Sequence, residues 1–198
     1  MKSFYKITVK PKKEFNIKID DNFKRKIIKN KPWFLILNKN TLFEDHINFN
    51  DKKAGSTATI TSKGIIEYKE LIFLKKEVDI VRTIAVIVGM LKLTKIVYLE
   101  DKIPFNFSFE MINVKNREIL RSESLSIYGE LKVKNDVSVN KDGDFSNINP
   151  YEFVNLLMVD ILKQIDCPID ESILKKEVKN SIDVLDNPLM FAIKTNLQ

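Results

Sequence analysis

The feature that most restricts the fold of this chain is the alternation of apolar and polar residues in three separate segments. They occupy residues 4–19, 105–109 and 125–133, and the last is the most regular. Side chains of a β-strand point alternately to its two faces, so a period of two residues predicts a half-buried strand. Pro11 interrupts the first segment, which we expect to form two strands or one bulged strand.

Shorter runs rich in β-branched and aromatic residues predict the remaining strands. These strands span residues 33–37, 57–61, 65–74 (one or two strands) and 96–99. Residues 84–91 suit a strand by composition and a helix by the length of the run that begins at Val78. The polar segments 38–56 and 140–147 are predicted loops, and residues 23–30 a loop or one or two helical turns.

The pattern changes to helical spacing near the C-terminal end of the sequence. Asn149 and Pro150 suit the cap and first turn of a helix that continues through Ile165. Asp170 opens a second helix, which ends before Asn187. We therefore predict an α+β fold, with a β-rich body of mostly antiparallel sheet at residues 1–145. A two-helix C-terminal segment, residues 146–198, packs on this body as part of one domain.

Charge is distributed unevenly along the 198 residues. Residues 1–53 hold 14 basic and 6 acidic side chains, whereas residues 144–198 hold 5 basic and 9 acidic ones. A basic head can attract anionic partners, and opposite poles can attract each other between copies of the chain. A solvated lysine-rich surface explains the same charge without any partner.

Basic residues interleaved with aromatic rings in the N-terminal part form a candidate polyanion-binding site, since cations track phosphates and rings stack on bases. A half-buried strand with lysines on its wet face gives the same pattern. The candidate residues are Lys10, Lys12, Lys13, Lys24, Arg25 and Lys26.

Phe105, Phe107 and Phe109 lie on one face of their predicted strand. Such a face is either part of the core or a sheet face that a neighbouring subunit covers. We take these three rings as a candidate assembly face.

The sequence offers no constellation for catalysis, so we predict neither catalytic residues, nor a metal, nor a cofactor. One histidine and one cysteine are too few for a zinc site of these residues. His46 is expected at the surface, and Cys167 as a structural thiol without a nearby base. The order of residues 52–57 does not match a phosphate-binding P-loop. The N-terminal residues do not resemble a secretory signal and no run is long enough to span a bilayer, so we expect a cytoplasmic location.

A series of motifs occurs in a fixed order along the chain: Lys63–Glu67, Val97–Asp101, Pro104-Phe105, Leu125–Asp136 and Asn149–Val154. This order of motifs over residues 57–185 resembles the SPFH (band 7) domain, in particular its virion-core-protein-like bacterial branch. The resemblance implies a scaffold that assembles into rings or larger oligomers, often at membranes, and that recruits other proteins. It implies no catalytic residues.

The predicted function is therefore a non-enzymatic scaffold or assembly subunit that forms homo-oligomers and binds protein partners. One alternative is a protein that binds nucleic acid or another polyanion through its lysine-rich N-terminal strands. A second alternative is a structural subunit of a phage or mobile element. Contact with a membrane would be peripheral, because no transmembrane segment is predicted.

Overall fold

The chain forms a mixed structure in which helices cover one face of a large antiparallel sheet. The computed structural model describes residues 2–32, 35, 39–53, 55–72, 77–98, 103–120, 132–146, 149–167 and 170–186. The α+β prediction is confirmed. The elements are β1 (Phe4–Pro11), α1 (Asp21–Asn30), β2 (Lys39–Leu42), β3 (His46–Asp51), β4 (Ser56–Thr61), β5 (Ile66–Leu71), β6 (Glu77–Asp79), α2 (Ile80–Tyr98), β7 (Phe105–Ile112), β8 (Glu118–Leu120), β9 (Val137–Gly143), α3 (Pro150–Gln164) and α4 (Glu171–Asp186).

The main sheet contains seven strands in the order β2-β3-β4-β5-β1-β7-β9, and every neighbouring pair is antiparallel. The first strand of the chain lies inside the sheet, where Ile7 pairs with Tyr68 of β5 and with Phe109 of β7. All three side chains are buried, so the register aligns apolar residues in rows on one face. β6 and β8 form a separate parallel pair.

The central helix α2 resolves the ambiguity of residues 84–91 and shows that the predicted strand at 96–99 is wrong, since residues 96–98 lie in its last turn. Most of its side chains are buried, including Ile84, Val86 and Leu93. It contacts β1 as well as α1, α3 and α4. A helix enclosed in this way needs apolar residues all round, and this burial outweighs the strand preference of its valines and isoleucines.

The three phenylalanines of β7 belong to the core, which corrects the candidate assembly face. Phe105, Phe107 and Phe109 have no exposed surface. Phe153 of α3 packs edge-on against the rings of Phe105 and Phe107, with centroids 6.1 and 5.8 Å apart. The ring of Tyr5 lies 6.1 Å from that of Phe109. Elements of the same chain cover this face, so these rings are not available to a neighbouring subunit.

Polar residues form strands where the sequence predicts loops. Segment 38–56 contains β2 and β3. Within β3, Ile47 and Phe49 face the core and Asn48 and Asn50 face outward, so few apolar residues mark this strand in the sequence. In the predicted loop at 140–147, residues 140–143 belong to β9. Strands at the margin of a sheet with one wet face need few apolar residues, and the sequence signal is then weak.

The segment after Pro11 is not the predicted second strand. Among its backbone contacts, the Ile17 N–H donates to the Ser62 carbonyl at 2.6 Å. Phe15, Ile17 and Ile19 pack against the core as half-buried side chains. Their alternating pattern therefore reflects a segment that lies along the core edge without pairing as a strand.

Both C-terminal helices are confirmed. The Asn149 side chain accepts the Tyr151 N–H at 3.0 Å, and Pro150 begins α3. The Asp170 carboxylate accepts the Ser172 N–H at 2.7 Å at the start of α4. The predicted strand at 125–133 lies outside the described residues, apart from residues 132 and 133. The predicted strand at 33–37 also lies outside them, apart from Leu35. No helix in the described part of the chain has the length and apolar character needed to cross a bilayer.

Candidate polyanion-binding surface

The basic helix α1 is held to the body by a narrow apolar stripe. Phe23 and Ile27, four residues apart, are the buried side chains of this helix. The Phe23 N–H donates to the Asp20 carboxylate at 2.9 Å, and this hydrogen bond lowers the pKa of Asp20. The Asp20 cap and the apolar stripe of Phe23 and Ile27 together hold the helix in place, while most of its circumference faces solvent.

The exposed circumference of α1 is strongly basic. Arg25 is exposed, and Lys24 and Lys26 are partly exposed. Lys29, also exposed, lies one turn beyond Arg25, so the two cations share a side of the helix. The candidate residues predicted from the sequence omit Lys29. Once residues 23–30 are known to be helical, its spacing of four from Arg25 places it on the same side of the helix as that candidate. Asp21 is the acidic residue of the helix.

The cations at the end of β1 form a second group with less net positive charge. Lys10 is exposed on the polar face of the sheet, opposite Asn106. The Lys12 Nζ lies 2.6 Å from an Asp142 oxygen, and the hydrogen bond from Lys12 lowers the pKa of Asp142. Lys13 is exposed and precedes Glu14. Acidic neighbours therefore offset much of the charge here.

The segment between β1 and α1 packs against the β4–β5 turn. The ring of Phe15 lies 5.2 Å from that of Tyr98 and contacts Gly64, where an added Cβ would stand 2.3 Å from the ring. The Tyr98 hydroxyl donates to the Gly64 carbonyl at 2.5 Å. Lys63, which is exposed in this turn, is thus placed beside the segment that joins the two basic groups. The sequence pattern of the basic segments does not predict Lys63 as a neighbour, because Lys63 belongs to the hairpin of β4 and β5.

A buried polar cluster that the sequence analysis missed joins β5 to the first turn of α2. The Glu70 side chain is 4% exposed and receives two hydrogen bonds from Arg82, at 2.8 Å from Nε and 2.5 Å from Nη2. The Tyr68 hydroxyl also donates to this carboxylate. Beside it, the Thr83 hydroxyl lies 3.2 Å from the Tyr5 hydroxyl. The signal in the sequence is an acidic residue at a core position of an alternating strand.

The groups of this cluster stabilise one another and do not resemble an acid–base pair. Burial, as the first cause, raises the pKa of Tyr5 and of Tyr68, so both phenols stay protonated as hydrogen-bond donors. Burial acts to lower the pKa of Arg82, but the hydrogen bonds and charge of Glu70 outweigh it, so the pKa of Arg82 is raised and the guanidinium keeps its charge. The cluster therefore clamps the start of α2 to the sheet.

The opposite face of the sheet carries polar and charged side chains. One row runs through Asn48, Thr59, Glu67, Thr8 and Ser108, which are neighbours in register on five adjacent strands. The Thr59 hydroxyl donates to the Asn48 side chain at 2.7 Å. All five side chains are partly or fully exposed. Within the described ranges, the helices lie on the other face, so this surface is open.

The remaining candidate residues have ordinary environments. His46 Nδ1 lies 2.6 Å from an Asp45 oxygen, and its ring stacks on Phe43 with centroids 4.4 Å apart. The hydrogen bond from His46 lowers the pKa of Asp45. The Cys167 side chain is buried. Among the residues with described positions, no group of three or more histidine, cysteine, aspartate or glutamate side chains could hold a metal ion.

Comparison of the chain with protein-family models, with curated proteins and with solved structures finds no match. The resemblance to the SPFH domain therefore stays a prediction from the sequence motifs.

Proposed function

We propose that this chain binds nucleic acid through helix α1. The observation that supports this proposal is the placement of Lys24, Arg25, Lys26 and Lys29 on the exposed or partly exposed sides of a helix that buries Phe23 and Ile27. A helix of ten residues is about 15 Å long, which matches roughly four phosphates of one strand in B-form DNA. Phosphate contacts of this kind give affinity without reading the base sequence.

The α1 group supports the proposal better than the β1 group. Lys12 already pairs with Asp142, and Glu14 follows Lys13, so the field at the end of β1 is weaker. Lys10, Lys13 and Lys63 are further exposed cations outside the helix. The expected ligand is thus a phosphate backbone that lies along α1.

Fluorescence anisotropy with labelled 20-nucleotide single strands and duplexes, measured from 50 to 200 mM salt, tests the proposal. Each phosphate contact contributes about 0.9 to the slope of log affinity against log salt for duplex DNA. The variant Lys24→Gln/Arg25→Gln/Lys29→Gln removes three contacts and should reduce the slope by about 2.7. The free energy of unfolding should change little, because Arg25 and Lys29 are exposed and Lys24 is partly so.

The matched control is Lys175→Gln/Lys176→Gln/Lys179→Gln on α4, where all three lysines are exposed. It removes the same charge from another helix and should leave the salt slope unchanged. Equal losses of affinity in the two variants would show that net charge alone drives binding. Absence of binding by the wild-type chain at 50 mM salt would refute the proposal. Binding to anionic vesicles in place of nucleic acid would assign α1 to a membrane surface.

A second candidate function is the assembly subunit, which the open face of the sheet favours. Threonine, serine and asparagine side chains both donate and accept hydrogen bonds, so rows of them complement a second copy turned by a two-fold axis. The face also carries both charge signs, as in the pair of Lys6 Nζ and Glu110 at 3.1 Å. The expected partner is therefore a second copy of this chain.

Light scattering behind a sizing column tests the assembly function. The wild-type chain should form dimers or larger oligomers, and Thr59→Arg/Ser108→Arg on the open face should yield monomers. Val81→Arg, at an exposed position of α2, is the matched control and should leave the mass unchanged. A wild-type chain that stays monomeric at about 100 μM contradicts this function.

A further inference from the structure

A cavity of about 190 Å³ opens between α2, α3 and α4. Its walls are apolar and come from all three helices. Val88 and Leu91 of α2, Val154 of α3 and Ile182 of α4 line it, and each of them is buried. A cavity of about 150 Å³ with a similar lining accepts benzene, so this space has room for about six to eight carbon atoms.

Two lysines of α2 also line the cavity, together with Phe145, Pro150 and Tyr151. Lys92 and Lys95 are three residues apart, which places both ammonium groups on one side of the helix. Lys92 is partly buried, and burial lowers its pKa. The Tyr151 hydroxyl donates to the Asp183 carboxylate at 3.2 Å.

We propose that this cavity binds a medium-chain monocarboxylate, with the alkyl chain against the apolar walls and the carboxylate at Lys92 and Lys95. Apolar walls with a few placed polar groups are typical of small-molecule sites. A carboxylate beside Lys92 and Lys95 favours the charged form of both ammonium groups. An amine would meet two like charges, and a neutral alcohol would gain no ion pair.

The site is separate from α1. It lies among α2, α3 and α4, so loss of nucleic-acid binding by α1 variants leaves this proposal unaffected, and the reverse also holds.

A titration with octanoate, followed by NMR of labelled Ile, Leu and Val methyl groups, tests the proposal on the wild-type chain. The methyl groups of Val88, Leu91, Val154 and Ile182 should shift together. Ile7, on the buried face of the sheet, serves as the internal reference and should not shift. No shift, or shifts confined to methyl groups outside the cavity, would overturn the proposal.

The headgroup is tested with octan-1-ol and octylamine, which have the same chain length. Octanoate should bind at least about tenfold more tightly than either, since hydrogen bonds to charged groups are worth about that factor or more. Lys92→Met/Lys95→Met should remove this preference and leave the affinity for octan-1-ol unchanged. The matched control is Lys175→Met/Lys179→Met on α4, which should keep the preference. Equal affinities for the three probes in the wild-type chain would refute the role of the lysines.

Discussion

The ion pair between Glu70 and Arg82 should contribute more to stability than any exposed pair of this chain. The substitution Arg82→Met keeps much of the aliphatic stem and removes both hydrogen bonds to the carboxylate. Glu70, with a side chain that is 4% exposed, then keeps the Tyr68 hydroxyl as a donor but has lost its counter-charge. A buried carboxylate without a counter-ion is costly, because water cannot solvate it.

The magnitude follows from burial and geometry. Breaking a buried ion pair by removing one partner costs about 3–5 kcal/mol. The Arg82 side chain is 28% exposed, so water reaches part of the site and we expect the lower end, about 3 kcal/mol. For a chain of this length, about 3 kcal/mol lowers Tm by roughly 6–12 °C.

Urea unfolding followed by far-UV circular dichroism measures the effect. The double variant Glu70→Gln/Arg82→Met removes the buried charge and keeps an acceptor for Tyr68, so it should be more stable than Arg82→Met alone. The coupling energy between the two sites should be about 2 kcal/mol.

The matched control is Lys6→Met, which breaks the exposed pair with Glu110, whose side chains are 43% and 27% exposed. It should cost less than about 1 kcal/mol. If Arg82→Met costs no more than this control, or if the two substitutions are additive, the cluster does not clamp α2 to the sheet.

Three further perturbations test other parts of the structure. Gly64→Ala should lower stability by at least about 1–3 kcal/mol in urea unfolding, because φ is +73° and the new Cβ meets Phe15; an unchanged midpoint would contradict this turn geometry. Asn155→Leu should raise stability by about 1 kcal/mol, because the Asn155 Oδ1 is buried and has no hydrogen-bond partner among the residues that the structure describes; a lower Tm would argue that the amide has a structural role. The lowered pKa of Asp20 means that its contribution is present above about pH 4 and is lost as pH falls through the lowered folded value. Asp20→Asn keeps an acceptor at the helix cap, so thermal melts from pH 2 to 7 should show a smaller loss of stability in acid, and an identical loss would refute the cap.

Local chemistry was sufficient to predict those elements whose formation depends on the residues within the element itself. Asn149 and Pro150 start α3 because a capping side chain and a fixed φ act within one turn. The rings of β7 alternate because a strand must separate its faces, and this holds whichever elements cover them. The basic character of α1 could also be predicted from the sequence, because the charge of an exposed helix depends on its own residues.

Tertiary structure decided which of two compatible patterns each ambiguous segment adopts. The β-branched residues of α2 suit a strand, but contact with the sheet and three helices makes a helix the arrangement that buries most of them. The sequence could not predict the partners of Lys12 and Glu70 either, because Asp142 and Arg82 reach them only through strand register and helix packing. The sequence determined where charge and apolar surface exist, and the packing of distant segments determined which charges are paired and which faces are covered.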